Sequence, residues 1–219
     1  MPAHSSLDCV GIFARDAGVL RQVLTRLAIP VGAPLTTLPA IGFIPTATRD
    51  IDALLLNGLA QWGLRPQQVD LPLLGDAHRA GLTLISHENW QAFSPLLSDD
   101  RVSADVATRI RAGESVDADA LNTAEHIRQT FTAQVDAQLK TTPLLALATL
   151  PELPPTLEEA QDPLTVVNLT RLVRPFNLSG HPALTLPAGT LGGRPVALQL
   201  IAAKGQEGLL IQAAEWLAE

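Results

Sequence analysis

Lysine is almost missing from this sequence, present only at 140 and 204, and cysteine occurs once, at position 9. A lone Cys9 excludes an internal disulfide and a cysteine-rich zinc site, and it fits a reducing cytoplasm. Lysine and arginine never stand side by side, and the net charge is -7 over 219 residues. No basic stripe is therefore available to neutralise phosphates, so nucleic acid is excluded as a direct ligand. Long apolar runs are also lacking. None approaches the roughly 20 residues of a membrane-spanning helix, and Met1-Pro2-Ala3-His4 lacks the layout of a signal peptide. The expectation is a cytoplasmic protein that neither crosses a membrane nor binds one.

What is present is apolar. Hydrophobic residues make up 47% and charged residues 17%, enough for a sizeable core and, at a mean hydropathy of +0.20, for extra apolar surface turned toward a partner. Asp16 reads as the cap of a helix carrying Val19, Leu20, Val23, Leu24 and Leu27, which stops at Pro30. Ile41 to Ile44 reads as a buried strand, Asp50 as the cap of a helix through Trp62 ended by Gly63, and Val69 to Leu71 as the next strand. Strand, helix, strand in that order predicts a crossover onto one sheet. Residues 76 to 140 read as helices broken near Pro95 and Gly113, with Asp117 as a cap. Short apolar runs at 144–148, 183–186 and 196–201 read as further strands, and a helix closes the chain from about Gln206 to Leu217. The prediction is one α/β domain over residues 1–219, with a mixed sheet covered by helices.

Two segments carry a resemblance. Ser5-Ser6-Leu7-Asp8-Cys9-Val10-Gly11-Ile12-Phe13-Ala14-Arg15 resembles the S-L-D-x-V-G-x-x-A-R segment of amidase-signature enzymes. Arg174-Pro175-Phe176-Asn177-Leu178-Ser179-Gly180-His181-Pro182-Ala183, running on to Pro187, is similar to that family's R-P-F-N-x-x-G-x-P-A-x-x-x-P. Ile41 to Pro45, Val69 to Pro72 and Gly193 to Ile201 follow in the family's order, so the resemblance covers nearly the whole chain. It departs at Leu145 to Pro151, which lacks a proline before Thr149.

The resemblance implies the C-terminal half of the family's fold and hydrolysis of carboxamide C–N bonds by a serine, a second relay serine and a lysine base. It places those three residues before the Ser-Leu-Asp segment, on which this chain almost begins. Neither lysine stands in a glycine- and serine-rich loop, and Gly192-Gly193 has no serine beside it. No catalytic residue is therefore assigned, no metal or cofactor is called for, and the chain is expected to be inactive alone. The family's substrate wall carries over to Thr149, Arg171, Arg174 and Asn177. A small amide substrate is expected only if another polypeptide supplies the catalytic half. A homo-oligomer or a protein partner is expected over the exposed sheet, and the alternative is a non-catalytic binding or scaffold module.

Other residues have plainer expectations. Asp8 and Arg15 are spaced for a structural ion pair or a local cap. His4, Ser5 and Asp8 have the types of a serine-hydrolase triad, yet sit too close along the chain for triad geometry. His87, Glu88 and His126 lack a second metal ligand at helical spacing. His181 is expected to face solvent or the former cleft, Trp62, Trp90 and Trp216 to pack in the core, and Gly11 and Gly180 to supply backbone conformations closed to other residues.

Overall fold

In this computed structural model, which describes residues 5–98 and 101–218, the sheet grows from two strands buried along their whole length. These are β1 (Ile41–Phe43) and β3 (Leu144–Ala148). They pair in parallel, as do β1 and β2 (Gln67–Gln68). β3 then pairs antiparallel with β5 (Arg194–Ala202), and β5 with the edge strand β4 (Ala183–Leu191). The order β2-β1-β3-β5-β4 makes a mixed sheet of five strands. The helix α2 (Arg49–Gln61) provides the crossover between β1 and β2.

Strands buried on both faces need helices on both. On the sheet pack α2 and α8 (Glu207–Trp216), with α1 (Ala17–Arg26) against α8. A second packed group joins α3 (Leu74–Phe93), α5 (Ala118–Thr141) and α7 (Arg174–Ser179), with α4 (Ala104–Arg111) against α3. Phe131 of α5 and Phe176 of α7 meet with ring centroids 6.1 Å apart. One core cluster runs through strands and helices alike, including Phe43, Leu55, Leu84, Phe131, Leu145, Phe176 and Leu200. Among the described residues no helix is long and apolar enough to cross a membrane.

Asp16 and Asp117 cap as the sequence predicts, each accepting a backbone N–H at 2.8 Å. Asp50 does not: α2 begins at Arg49 with Thr48 in the cap position, leaving Asp50 and Asp52 in the first turn, where the helix dipole favours acid. The second strand comes earlier than Val69–Leu71, and Val69 adds one backbone bond to Phe43 O at 2.8 Å. The 174–179 segment is helical, because Pro175 occupies the first turn, where its missing N–H costs nothing. Gly180 ends that helix at φ 71, as predicted, whereas Gly11 has no left-handed φ. Trp62 departs from the predicted core position and is 42% exposed at the end of α2.

Candidate functional site

The two segments that carry the resemblance meet in space. Asn177, on the fourth residue of α7, donates from Nδ2 to the carbonyl oxygen of Leu7 at 2.7 Å. Its side chain also lies 3.6 Å from Cys9 Sγ. Glu88 of α3 holds the same stretch from the other side, accepting the Ser6 backbone N–H at 2.9 Å and both the Ser5 and Ser6 hydroxyls. Arg128 of α5 donates to Ser6 Oγ at 2.8 Å. Leu7 is thereby driven into the core at 5% exposure. Asn177 thus works as a clamp on the Ser-Leu-Asp stretch, with its amide already committed. Asn177→Ala is expected to cost about 1–2 kcal/mol and to speed protease cleavage in the 8–13 stretch, read by denaturant melts and limited digestion.

Asp8 and Arg15 do not pair with each other. Arg15 bonds Asp16 at 3.0 Å, while the Asp8 backbone N–H donates to Ser5 Oγ at 3.1 Å. The Ser5 hydroxyl is thus spent on Glu88 and a local turn, and His4, the third member of that triad reading, lies outside the described residues.

Arg174 leaves the first turn of α7 and crosses α3. A Cβ placed at Gly81 would lie 2.8 Å from its Cγ and 2.9 Å from its Cδ, so the missing side chain at 81 is what lets the stem lie flat there. One turn earlier on α3 is His78, whose Nδ1 stands 3.3 Å from Arg174 Nη1. Burial first, and then the guanidiniums of Arg174, Arg171 and Arg79, push the His78 imidazole down to about 4. It is neutral at pH 7, leaving Nδ1 free to accept. Burial also lowers the Arg174 guanidinium from its ordinary value.

Arg171 belongs to a short 3-10 turn before α7 and lines an open cleft of about 700 Å³. The cleft lies beyond the carboxyl ends of the parallel strands β1 and β3, between the first turn of α2 with residues 47–48 before it, the 151–155 loop and α6 (Pro163–Leu169), the position where parallel sheets gather ligands. Thr48, Asp50, Glu152 and Asn168 also line it, with Arg194 and Glu159 facing each other at 3.8 Å. Arg194 also donates to Pro154 O at 3.0 Å. Thr156 and Glu159 form a reciprocal capping pair, Thr156 N to Glu159 Oε2 at 2.8 Å and Glu159 N to Thr156 Oγ1 at 3.2 Å. The Thr156 backbone N–H is the chief reason the Glu159 carboxyl lies below its usual range. Thr149 sits apart from this cleft, in a hollow of about 220 Å³ with Ile51, Pro154 and Val196, its hydroxyl donating to Thr185 at 3.4 Å. Arg171 alone of the four predicted wall residues lines the main cleft. Arg174 stands one turn on, and Asn177 is turned to the N-terminal stretch.

His181 faces neither solvent nor cleft. Its ring is buried between Ser179 Oγ at 2.8 Å from Nδ1 and Asp136 Oδ1 at 3.0 Å from Nε2. Burial lowers the His181 imidazole against the opposing pull of Asp136. Serine, histidine and aspartate in a hydrogen-bonded row have triad types. Yet Ser179 is 3% exposed and stands at the C-terminal end of α7, where carbonyls rather than N–H donors project. The row ties α7 to α5. His87 bonds Gln91 one turn on, and no metal-ligand cluster is present among the described residues.

Sequence reasoning missed His78, Arg194 and the acids of the cleft. The spacing of His78 and Gly81 on one helix face and the Thr156-x-x-Glu159 pattern were the available signals.

A family model described as Amidase matches residues 68–211. A subunit of the glutamyl-tRNA(Gln) amidotransferase of Methanothermobacter thermautotrophicus is 31% identical over 125 residues, covering 55% of this chain and 28% of that protein. Among solved structures, a crystal structure of an amidase superposes with a TM-score of 0.78 at 22% identity, over 93% of this chain and 51% of that one. Allophanate hydrolase of Kluyveromyces lactis superposes with a TM-score of 0.71 at 23% identity, over 84% and 33%. The chain thus spans about half the length of the solved amidase and less of the other two.

Proposed function

The chain belongs to the amidase family, and from that premise we propose that it supplies the substrate-side half of a carboxamide hydrolase and does not turn over amides by itself. The placement of its two lysines carries the second part. A lysine that serves as base beside serine hydroxyls must be held neutral by desolvation or by neighbouring cations. Lys140 is exposed in the last turn of α5, and Lys204 is exposed in the turn before α8. Neither hydrogen-bonds a serine among the described residues, while Ser5 and Ser6 are committed to Glu88 and Ser179 to His181.

The cleft edged by Arg171 is the substrate side in this reading, with Arg174 behind it and Thr149 in the adjoining hollow; Asn177 supports the wall from outside. The partner is a polypeptide carrying the nucleophile and base. Two surfaces support such a partner. Val10 and Phe13 are 75% and 99% exposed in the stretch that Asn177 anchors, and β4 has one unpaired edge, interrupted only by Pro187 and an irregularity before Gly189. The single exposed cysteine fits a reducing cytoplasm.

Purified chain assayed against small aliphatic and aryl amides is expected to show no turnover. Turnover by the purified chain overturns the proposal, and turnover that survives replacement of both Lys140 and Lys204 would show that it runs without a lysine base. Light scattering is expected to show self-association or dye-binding apolar surface. A well-behaved monomer that binds no hydrophobic dye counts against a missing cover. The exposed Phe13 also fits a non-catalytic docking module, which a catalytic partner restoring turnover would rule out.

A further inference from the structure

Arg174 is a half-buried guanidinium without a carboxylate partner among the described residues. Its stem is fitted to the bare backbone of Gly81, and its only hydrogen-bond partner among the described residues is the neutral ring nitrogen of His78. Arg171, one turn earlier, has no carboxylate partner among the described residues either, and it lines the cleft. Neighbouring arginines behave otherwise: Arg79 bonds Asp76, Arg128 bonds Glu125 and Arg194 faces Glu159. Two cations crowd one side of α3 in a chain whose net charge is -7. Desolvating a guanidinium is costly unless an anion or a set of acceptors compensates, and one ring nitrogen satisfies only one of its several N–H groups.

We propose that Arg174 and Arg171 form a carboxylate-binding site behind the Arg171 edge of the cleft, with His78 fixing the Arg174 fork, so that the ligand taken by this half of the fold is a carboxylate-bearing amide. A planar guanidinium meets the two oxygens of a carboxylate in one plane, which a lysine cannot reproduce. Tetrahedral oxyanions share the charge without the planar match. The site rests on the substrate-side reading of the cleft, and it is tested by binding alone, so that failure to hydrolyse amides leaves it unaffected.

The experiment follows the His78 ring proton by NMR in the isolated chain while succinamate or its neutral counterpart succinamide is added. Succinamate is expected to bind at least about ten-fold tighter, as one charge-assisted pair provides. It is also expected to raise the His78 titration midpoint, because a negative charge arrives among the cations that hold it down. Arg171→Gln, at an exposed position, keeps the fold and is expected to lose about ten-fold in succinamate affinity. Arg174→Lys keeps the charge, loses the fork, and is expected to lose a similar factor. Equal binding of the two amides, an unmoved His78 midpoint or full affinity in Arg171→Gln overturns the site. Inorganic phosphate binding more tightly than succinamate overturns the carboxylate assignment.

Discussion

Replacing Gly113 by alanine is expected to destabilise the chain by about 3 kcal/mol or more, which for a chain of this size lowers Tm by on the order of 10 °C. Gly113 is buried in the turn between α4 and α5, where that turn presses on the middle of α3. A Cβ there would lie 1.9 Å from the Ser86 carbonyl oxygen and 2.7 Å from Trp90 Cβ. The Ser86 oxygen belongs to helical backbone, so no rotamer change can move it aside. The turn and α3 must separate, and the clamp of Glu88 and Arg128 on Ser6 draws on α3 and on the helix that follows the turn. Gly58 supplies the control. It lies inside α2 with nothing within 4 Å of its would-be Cβ, so Gly58→Ala is expected to stabilise by about 0.5–1 kcal/mol, mostly by restricting the unfolded chain. Urea melts of both variants check the pair. A Gly113→Ala variant as stable as the parent would mean that α3 and the turn are not in contact.

Gly113 also shows what the sequence makes legible. A helix break at that glycine is readable, because glycine interrupts an apolar period. The Ser86 carbonyl for which it makes room is not, because the contact is tertiary and leaves no local pattern on either helix. The strands at 41–44 and 144–148 are readable because buried parallel strands are continuous apolar runs. β4 runs on past Leu186 to Leu191, beyond its predicted end, because Pro187 sits on an edge strand where a missing N–H disrupts only one ladder. The site divides in the same way. Residue types in a family pattern point to Thr149, Arg171, Arg174 and Asn177, but pattern does not say which way a side chain turns. Asn177 turns to Leu7, and His181 into the core between Ser179 and Asp136, because unpaired carbonyls and buried polar groups need partners there. The spacing of His78 and Gly81 marks one face of a helix, but nothing in it announces an arginine arriving 96 positions later.

That histidine sets the second large effect, a loss of stability in mild acid. In the folded chain the His78 imidazole is held at about 4, against 6.5 for an unburied one. As pH falls below about 6.5 the unfolded chain takes up a proton that the folded chain refuses until about 4, so stability rises with pH across that window and falls on acidification. A separation of this size is worth about 3 kcal/mol. His181, also lowered by burial, acts in the same direction. The lowered carboxyls of Asp16, Asp105 and Glu159 do so at lower pH, whereas Asp52, raised by burial, opposes them. His78→Gln isolates this contribution, since its amide oxygen still offers Arg174 an acceptor but takes up no proton. The variant is expected to lie within about 1 kcal/mol of the parent near neutral pH and to exceed it in stability near about pH 4.5. The curves cross because only the parent must place an imidazolium against Arg174, Arg171 and Arg79. Denaturant melts at a series of pH values read the crossing. If parent and variant lose stability in parallel, the acid sensitivity belongs to His181 and its contact with Asp136, and the guanidiniums around His78 are open enough to water to tolerate one more positive charge.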